Sequence, residues 1–295
     1  GSVLAVGGTA HGINRLRHVM GYSGQEKTIC TAPAYAGWSA GTGAGWGADP
    51  REMRNSDLIV IWGCNAAATQ INVMTLASQA KKARSAKLIV VDPDLTPTAQ
   101  KADLHLQPRP GTDGALACAV MQQLFLKGYA DRAYLDRYAD NAAEFASHLA
   151  TRTPSWAEEI SGVPAAKIEQ FAELYGQTQR SFIRLGLGFS RGRNGAFNVH
   201  AVSCLPVVTG AWQYPGGGAL LGSSGLFNLD KRLIEGLDAQ RPGTRMLDMS
   251  RIGAILCGNP DDLQDGPEVK ALFIQNTNPM AVAPQLNAVR RGFSR

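Results

Sequence analysis

One segment of the sequence combines glycine, arginine and asparagine in a way that suits an anionic ligand. It runs Leu-Gly-Leu-Gly-Phe-Ser-Arg-Gly-Arg-Asn-Gly over residues 185–195. Its glycines, Gly188 and Gly195 among them, let the backbone approach a ligand closely, and the Arg191 guanidinium can pair with a phosphate through two hydrogen bonds. Asn194 offers both a donor and an acceptor. This composition favours a ligand-binding loop over a purely structural turn.

A second candidate loop, Arg-Pro-Gly-Thr-Asp over residues 109–113, precedes a predicted helix. In one interpretation, Thr112 or Asp113 only caps that helix, which is a frequent role for threonine and aspartate. In the other, the Arg109 guanidinium and the amides around Gly111 hold phosphate, and the Asp113 carboxylate reads a base. Guanine presents adjacent N–H donors that one carboxylate can accept together, whereas adenine does not. The sequence leaves both interpretations open.

Two further turns follow strands that the sequence predicts. Gly63 and Asn65 come after an apolar run, and Asp92 and Pro93 come after the next one. Residues at the carboxyl ends of parallel strands often contact nucleotides, and a carboxylate there can take ribose hydroxyls. A purely structural turn is the alternative for Gly63 and Asn65. No Gly-x-Gly-x-x-Gly motif begins at Gly63, which argues against an ordinary nicotinamide or flavin dehydrogenase.

Cys30, in Lys-Thr-Ile-Cys-Thr-Ala-Pro, stands alone among small residues. The chain has five cysteines without a Cys-x-x-Cys pair, so we expect neither a disulfide framework nor a structural zinc site. A lone cysteine is most often a buried, inert thiol, but a thiolate is also a soft ligand for a metal. The spacing does not decide between these two roles.

The composition narrows the class of protein. Of the 295 residues, 44% are hydrophobic and 18% are charged, which suits a folded globular chain. The net charge of +5 is compatible with anionic ligands, but no run of lysine and arginine with interleaved aromatics indicates nucleic-acid binding. No apolar stretch reaches the ~20 residues that a membrane-spanning helix needs. We therefore expect neither nucleic acid nor a membrane span, and the cellular compartment stays open.

Apolar runs alternate with helical stretches along the chain. The runs, each interpreted as a buried strand, cover residues 3–6, 58–62, 88–91, 182–187 and 271–274. Helical spacing covers residues 71–86, 115–126 and 164–175. Continuous apolar strands separated by helices are typical of a parallel sheet that is covered on both faces. The sequence therefore predicts an α/β fold, with long loops over the glycine-rich residues 212–250.

Taken in order, these motifs resemble one family. The ordered set comprises Thr28-Ile-Cys30, glycines within 41–47, Gly63-Cys-Asn65, Val91-Asp-Pro93, Arg109-Pro-Gly-Thr-Asp113, Gly186-x-Gly188, Arg191-x-x-Asn194-Gly195 and Gln275-Asn-Thr-Asn278-Pro279. Each motif is weak alone, but together they look like the molybdopterin oxidoreductases of the dimethyl sulfoxide reductase type. The resemblance covers nearly the whole chain.

In that family, two molybdopterin guanine dinucleotides hold one molybdenum or tungsten atom through dithiolene sulfurs. The resemblance implies that Cys30 is the protein ligand of the metal. It assigns one dinucleotide to Gly63, Asn65, Asp92, Pro93, Arg109, Gly111, Thr112 and Asp113. It places Gly188, Arg191, Asn194 and Gly195 near a pterin or phosphate, and Asn276 and Asn278 near the other dinucleotide. The implied activity is a two-electron transfer of an oxygen atom or a hydride equivalent.

The resemblance also implies a domain organisation of two interleaved, doubly wound, Rossmann-like domains. One covers residues 25–221 and binds a dinucleotide, and an incomplete one combines residues 1–24 with residues 222–295. The family's iron–sulfur domain and C-terminal barrel are not expected in this segment, so an iron–sulfur cluster would belong to the full-length protein. The remaining domains, an electron-transfer subunit and a small-molecule substrate are the expected partners, and the isolated segment is expected to be inactive.

Two departures from the formate dehydrogenases of the family argue against formate as the substrate. Those enzymes place histidine directly after the metal ligand, where this chain has Thr31, and they carry an arginine in a loop corresponding to residues 217–228, where this chain has none. A non-catalytic nucleotide-binding or scaffold subunit of the same fold is the alternative to an oxidoreductase. Retention of Cys30 favours the oxidoreductase.

Overall fold

The structure is a computed structural model that describes residues 11–223, 226, 230–275 and 277–295. Its backbone contacts divide the chain into two compact units. The larger unit is Cys30–Phe227, and the smaller unit combines Gly1–Ile29 with Asn228–Arg295, as far as these are described. The predicted strand at residues 3–6 and the predicted site residue Asn276 lie outside the described residues.

Parallel pairing organises the strands. In chain order they are Gly24–Glu26 (β1), Leu58–Trp62 (β2), Lys87–Val91 (β3), Leu104–Leu106 (β4), Ser181–Leu185 (β5), Gly218–Leu220 (β6) and Met246–Asp248 (β7). In the larger unit, five strands form a parallel sheet in the order β4-β3-β2-β5-β6. In the smaller unit, β1 pairs with β7, also in parallel. The predicted α/β fold with parallel sheets is confirmed.

Helices connect these strands. In chain order the α-helices are His11–Met20 (α1), Thr31–Thr42 (α2), Ala66–Thr69 (α3), Ile71–Arg84 (α4), Asp113–Leu126 (α5), Arg132–Tyr138 (α6), Ala142–Leu149 (α7), Pro154–Ser161 (α8), Ala165–Gly176 (α9), Gly195–Ser203 (α10), Leu205–Val208 (α11), Arg232–Glu235 (α12), Ile252–Leu256 (α13), Pro279–Val282 (α14) and Leu286–Phe293 (α15). The predicted helices correspond to α4, α5 and α9. Within the described ranges, no helix is long and apolar enough to cross a membrane.

The central strand β2 is buried on both faces of the sheet. Leu58, Val60 and Trp62 enter the core formed with α5, α9 and α10. Ile59 and Ile61 point to the opposite face and enter the core formed with α4. Because successive side chains of a strand alternate between faces, burial on both sides requires an unbroken apolar run. This requirement explains the sequence pattern of residues 58–62.

The chain leaves β2 in one direction and returns to it from the other. Helix α4 leads from β2 to β3, and β4 lies beyond β3 at the edge of the sheet. Helices α5 to α9 then carry the chain back to β5, on the other side of β2. The strand order therefore reverses between β2 and β5. In open α/β sheets, ligands bind outside the carboxyl ends of the strands at such a switch point.

Helix α2, which begins directly after Cys30, packs closely against α10. A Cβ atom at Gly37 would collide with the backbone carbonyl of Ala196, and one at Gly41 would collide with a side chain of α10. Helix α2 also contacts the 3-10 turn Phe189–Arg191 that precedes α10. The start of α2 is therefore positioned by close backbone packing within the larger unit.

Two segments differ from the sequence-based expectations. The predicted strand at residues 271–274 is wrong, because these residues form no strand and are exposed, with Phe273 73% exposed. A strand needs a neighbour that satisfies its backbone groups, and the described part of the chain does not place one beside this segment. The sequence also predicts loops over residues 212–250, but this segment contains β6, α12 and β7.

Gly37→Ala is expected to lower the free energy of unfolding by about 1–3 kcal/mol, because the added methyl group has no space against Ala196. This loss exceeds what alanine gains in helix propensity, about 1 kcal/mol at most. Gly45→Ala is the control, since a Cβ atom there meets nothing within 4 Å. Urea denaturation followed by tryptophan fluorescence measures both variants. Equal stability of the two variants would contradict the close contact between α2 and α10.

Candidate functional site

Loops that follow β2, β3, β4 and β5 meet at the carboxyl edge of the sheet in the larger unit. We call this region the carboxyl-edge face and define it as residues 63–65, 92–93, 109–114 and 188–195. Backbone hydrogen bonds continue the sheet into these loops. The Gly63 amide donates to the Val91 carbonyl at 2.9 Å, and the Gly188 amide donates to the Gly63 carbonyl at 3.0 Å. The structure thus brings together most of the residues predicted from the sequence.

Most of the predicted glycines allow loops to touch, and one leaves open space. Gly63 has a φ of 65°, in the left-handed region that favours glycine. A Cβ atom at Gly188 would lie 2.7 Å from the Gly63 carbonyl oxygen, and Gly195 is enclosed by the backbone of the preceding turn. Gly111 has a φ of 85°, and a Cβ atom there would meet nothing within 4 Å. Loop packing therefore explains three of these glycines, and Gly111 leaves the backbone open to a ligand.

The Asp113 carboxylate forms a hydrogen bond with Trp62, the last residue of β2. Its Oδ1 accepts a hydrogen bond from the indole N–H of Trp62 at 2.8 Å. Trp62 is fully buried and packs against Phe171 and Phe189, with ring centroids 5.8 and 6.0 Å apart. Burial raises the pKa of Asp113 above its ordinary value of 3.8; the hydrogen bond from Trp62 offsets part of this effect, and the charge of Asp92 adds to it. The charge of Asp92 therefore acts on Asp113 at the same face.

Of the two residues in the capping interpretation, Thr112 does not cap the helix with its side chain. The Thr112 hydroxyl donates to the Arg109 carbonyl at 2.6 Å and makes no capping hydrogen bond to α5. The Arg109 guanidinium donates to the carbonyls of Glu159 and Ile160 at 2.8 and 3.2 Å, at the end of α8. Arg109 thus satisfies carbonyl groups that the helix leaves without partners. Phosphate binding by Arg109 stays a prediction.

Asn198, which the sequence motifs do not include, ties two of the loops together. It lies on α10 and is 4% exposed. Its Oδ1 accepts from the Gly114 amide at 3.0 Å, and its Nδ2 donates to the Gly111 carbonyl at 3.2 Å. Since α10 begins at Gly195, this one side chain fixes the loop after β4 against the loop after β5. The signal in the sequence was an amide between apolar residues, Phe197 and Val199.

Two other predicted residues keep polar groups at the ends of β2 and β3. The Asn65 Oδ1 accepts from the Thr98 hydroxyl at 2.9 Å, so this oxygen braces the turn after β2. Asp92 is 8% exposed, and its carboxylate accepts from the Asp94 amide at 3.0 Å. Burial raises the pKa of Asp92, whereas the hydrogen bond from Asp94 lowers it in part. Asn65 therefore has a structural role, and Asp92 is a desolvated carboxylate at the carboxyl-edge face.

The outer rim of the carboxyl-edge face is exposed and basic. Pro93, Arg191, Arg193 and Asn194 are exposed. In the part of the chain that the structure describes, neither arginine side chain forms a hydrogen bond or an ion pair with another residue. Their guanidinium groups are therefore free to pair with an anionic ligand.

Cys30 occupies a strained position at the start of α2. Its φ is 65° and its ψ is −98°, an unusual conformation for a residue with a side chain. The Thr31 hydroxyl donates to the Cys30 sulfur at 3.8 Å, and the thiol is partly exposed. Backbone strain of this kind concentrates at functional sites, and the start of a helix favours negative charge. Among the described residues, no cluster of three or more histidine, cysteine, aspartate or glutamate side chains could hold a metal.

Asn278 lies in the smaller unit, at the start of α14. It is exposed, and its carbonyl accepts from the amides of Ala281 and Val282 at 3.0 and 3.1 Å. Its role towards a second dinucleotide stays a prediction.

A family model described as molybdopterin oxidoreductase matches residues 12–294. The chain therefore belongs to the molybdopterin oxidoreductase family, and the resemblance inferred from its motifs is confirmed. The members of this family are oxidoreductases that use a molybdopterin cofactor with molybdenum.

Curated relatives are much longer than this chain. It is 35% identical to "Probable oxidoreductase YoaE" of Bacillus subtilis (strain 168) over 289 residues, which cover 97% of this chain and 42% of the relative. It is 31% identical to "Dimethyl sulfoxide reductase DmsA" of Escherichia coli (strain K12) over 236 residues, which cover 72% of this chain and 28% of the relative. The chain thus spans less than half the length of these relatives.

Among solved structures, acetylene hydratase from Pelobacter acetylenicus shares the fold. The TM-score is 0.51 at 18% sequence identity, and the match covers 70% of this chain and 28% of the hydratase. At this identity, the similarity supports the fold and nothing about the reaction.

Asp113→Asn is expected to stabilise the chain at neutral pH, since the amide keeps an oxygen for Trp62 and removes a desolvated charge. The pKa of Asp113 is raised by folding, so the folded state binds the proton more tightly than the unfolded state. Stability of the unsubstituted chain therefore falls as pH rises from the ordinary carboxyl pKa of 3.8 through the raised folded pKa, and the variant lacks this loss.

Urea unfolding at several values from about pH 4 to about pH 8 measures this difference across the titration window. The stability of Asp113→Asn relative to the unsubstituted chain should increase with pH. The exposed Asp136→Asn variant controls for the loss of one charge. A stability difference that is independent of pH would show that the Asp113 carboxylate is not desolvated by folding.

Proposed function

We propose that the larger unit binds a molybdopterin guanine dinucleotide at the carboxyl-edge face and that Cys30 ligates the molybdenum or tungsten. The observation that carries this proposal is the convergence of four loops at the point where the strand order reverses. Asn198 ties two of these loops into one surface. This is the position at which open α/β sheets bind nucleotides.

The residues of the face fit the parts of the dinucleotide. Arg191 and Arg193 are exposed cations suited to a diphosphate, and the open backbone at Gly111 allows phosphate oxygens to approach amide groups. The Asp113 carboxylate suits the adjacent N–H donors of guanine, and Asp92 suits the hydroxyl groups of a ribose. The buried contact with Trp62 fixes the direction of the Asp113 carboxylate before any ligand arrives.

The start of α2 fits a metal bound mainly by sulfur. A thiolate is a soft ligand that matches dithiolene sulfurs, and the Cys30 thiol is partly exposed. When bound, the metal supplies two-electron chemistry between its IV and VI oxidation states. The chain's own contribution is to orient Cys30 through the packing of α2 on α10, and to hold the nucleotide through charge and hydrogen bonds.

The whole protein, on this proposal, is an oxidoreductase that transfers an oxygen atom or a hydride equivalent to or from a small molecule. Its other domains, and an electron-transfer subunit, would complete the second half of the cofactor site and deliver electrons. Asn278 and Asn276 are proposed to face the second dinucleotide. An iron–sulfur cluster, where one is used, would be bound outside this segment.

Guanine recognition predicts that Asp113→Asn weakens the binding of GDP about tenfold or more, because the new amide donor faces the donors of guanine. The affinity for ADP should not change. Isothermal titration calorimetry with both nucleotides measures this selectivity, and Asp136→Asn again controls for the lost charge. Equal loss of GDP and ADP affinity would overturn the base-reading role of Asp113.

Metal ligation predicts that Cys30→Ser changes the metal's coordination in the full-length enzyme without removing the metal, since dithiolene sulfurs still hold it. X-ray absorption should show one sulfur ligand replaced by oxygen, and turnover should fall at least about tenfold. Cys257→Ser, in the smaller unit, is the matched control, because that thiol donates to the Ala288 carbonyl at 3.5 Å. An unchanged sulfur shell in Cys30→Ser would overturn the assignment. Absence of molybdenum and tungsten from the full-length protein would favour the scaffold alternative.

A further inference from the structure

Arg184 is a buried cation within the sheet, and neither the motifs nor the family resemblance assigns it a role. It lies on β5, pairs in register with Ile61 of β2 and with Leu220 of β6, and is 7% exposed. A charged side chain inside a sheet is rare unless it is paired, because its removal from water costs several kcal/mol. The groups that compensate this charge must therefore be identified.

The hydrogen-bond partners of Arg184 are all neutral. Nη1 donates to the backbone carbonyls of Leu185, Leu220 and Leu221, the last at 2.7 Å, and Nη2 donates to the Gln70 Oε1 at 2.6 Å. Among the described residues, no ion pair includes Arg184, so these dipoles solvate the guanidinium without cancelling its charge.

Two ionisable groups interact with Arg184. They are the Cys64 thiol and the Tyr35 phenol. Burial raises the pKa of Cys64, and the charge of Arg184 offsets only part of that rise. Burial also lowers the pKa of Arg184 itself. The hydrogen-bond partners of Arg184 are neutral oxygens, so the guanidinium is a buried positive charge held without an ion pair among the described residues.

The position of this charge relates it to the carboxyl-edge face. Leu185 is the last residue of β5, and Leu220 is the last residue of β6, so the guanidinium lies at the carboxyl ends of both strands. Cys64, which it influences, stands between Gly63 and Asn65 in the loop after β2. The carbonyl oxygens that Arg184 binds carry partial negative charge, and they would otherwise repel an anion that approaches this edge.

We propose that Arg184 is a positioning residue whose buried charge makes the carboxyl edge of β2, β5 and β6 attractive to the diphosphate of the bound dinucleotide. The guanidinium does not contact the ligand, because it is enclosed by the strand ends and Gln70. It acts by neutralising the strand-end carbonyls and by adding a field that solvent screens weakly. This inference depends on the proposed function for the site but concerns a different residue from those that read the base.

Variants of Arg184 in the 295-residue chain test this proposal with inorganic diphosphate as the probe. Arg184→Gln removes the charge, whereas Arg184→Lys keeps the charge and loses most of the guanidinium hydrogen bonds. Arg180→Gln is the matched control, since Arg180 is an exposed arginine just before β5, at the opposite end of the sheet. Calorimetry measures the affinity for diphosphate, and thermal unfolding of each variant measures the structural effect.

We expect Arg184→Gln to bind diphosphate about tenfold more weakly, and Arg184→Lys and Arg180→Gln to stay within about threefold of the unsubstituted chain. Both Arg184 variants should unfold at lower temperature, because carbonyl groups lose their donor. A purely structural role would instead lower the affinity of Arg184→Lys and Arg184→Gln in proportion to their loss of stability. That result, or unchanged affinity in Arg184→Gln, would overturn the proposal, as would a lack of diphosphate binding by the unsubstituted chain.

The outcome is separable from a failure of the proposed function. Selectivity for GDP over ADP depends on Asp113 and is measured independently of diphosphate. Retained guanine selectivity with unchanged diphosphate affinity in Arg184→Gln would remove only the role of Arg184. The unsubstituted chain could instead bind GDP and ADP equally while its diphosphate binding still depends on the charge at position 184. That result would remove only the base-reading role of Asp113.

Discussion

Burial of β2 on both faces is the constraint on which the rest of the larger unit depends. A strand that is apolar on both sides needs a helical layer above it and another below it, and parallel neighbours can be reached only through long crossovers. Here the crossovers leave β2 towards β3 on one side and return to β5 on the other. The loops of both halves therefore end side by side, and Trp62 delivers its indole N–H to Asp113 from the end of the buried strand.

The charged groups buried near the carboxyl edge of the sheet lower the stability of the folded chain. Asp92 and Asp113 are carboxylates whose pKa values are raised by burial, and Arg184 is a guanidinium without an anionic partner among the described residues. Each carries a desolvation cost that an apolar side chain would avoid. Hydrogen bonds from Trp62 and Asp94, and those from Arg184 to backbone carbonyls, limit that cost. The placement of such groups at one edge, and of apolar residues elsewhere in the sheet, is typical of a binding site rather than of a core.

The sequence predicted β2, β3 and β5 and named most residues of the carboxyl-edge face, but it did not predict β4, β6 or the contacts between loops. Residues 58–62 could be recognised because a strand buried on both faces requires an unbroken apolar run. Residues 271–274 have a similar pattern, yet a strand also needs a neighbour, and a local pattern contains no information about one. Asn198 lies 84 residues from the Gly114 amide that it accepts, so no spacing rule relates the two. Arg184 was hidden inside an apolar run, and the orientation of Arg109 depends on the end of α8.

The close packing of α2 on α10 has a consequence for residue 30, which we propose as the metal ligand. Because Gly37 and Gly41 let α2 pack closely against α10, this packing positions the start of α2 at residue 30. The close contacts are made at residues 37 and 41, so a serine or an aspartate at position 30 is expected to leave the packing of α2 on α10 unchanged. The packing of the two helices would thus fix the position of residue 30 independently of which donor atom its side chain carries.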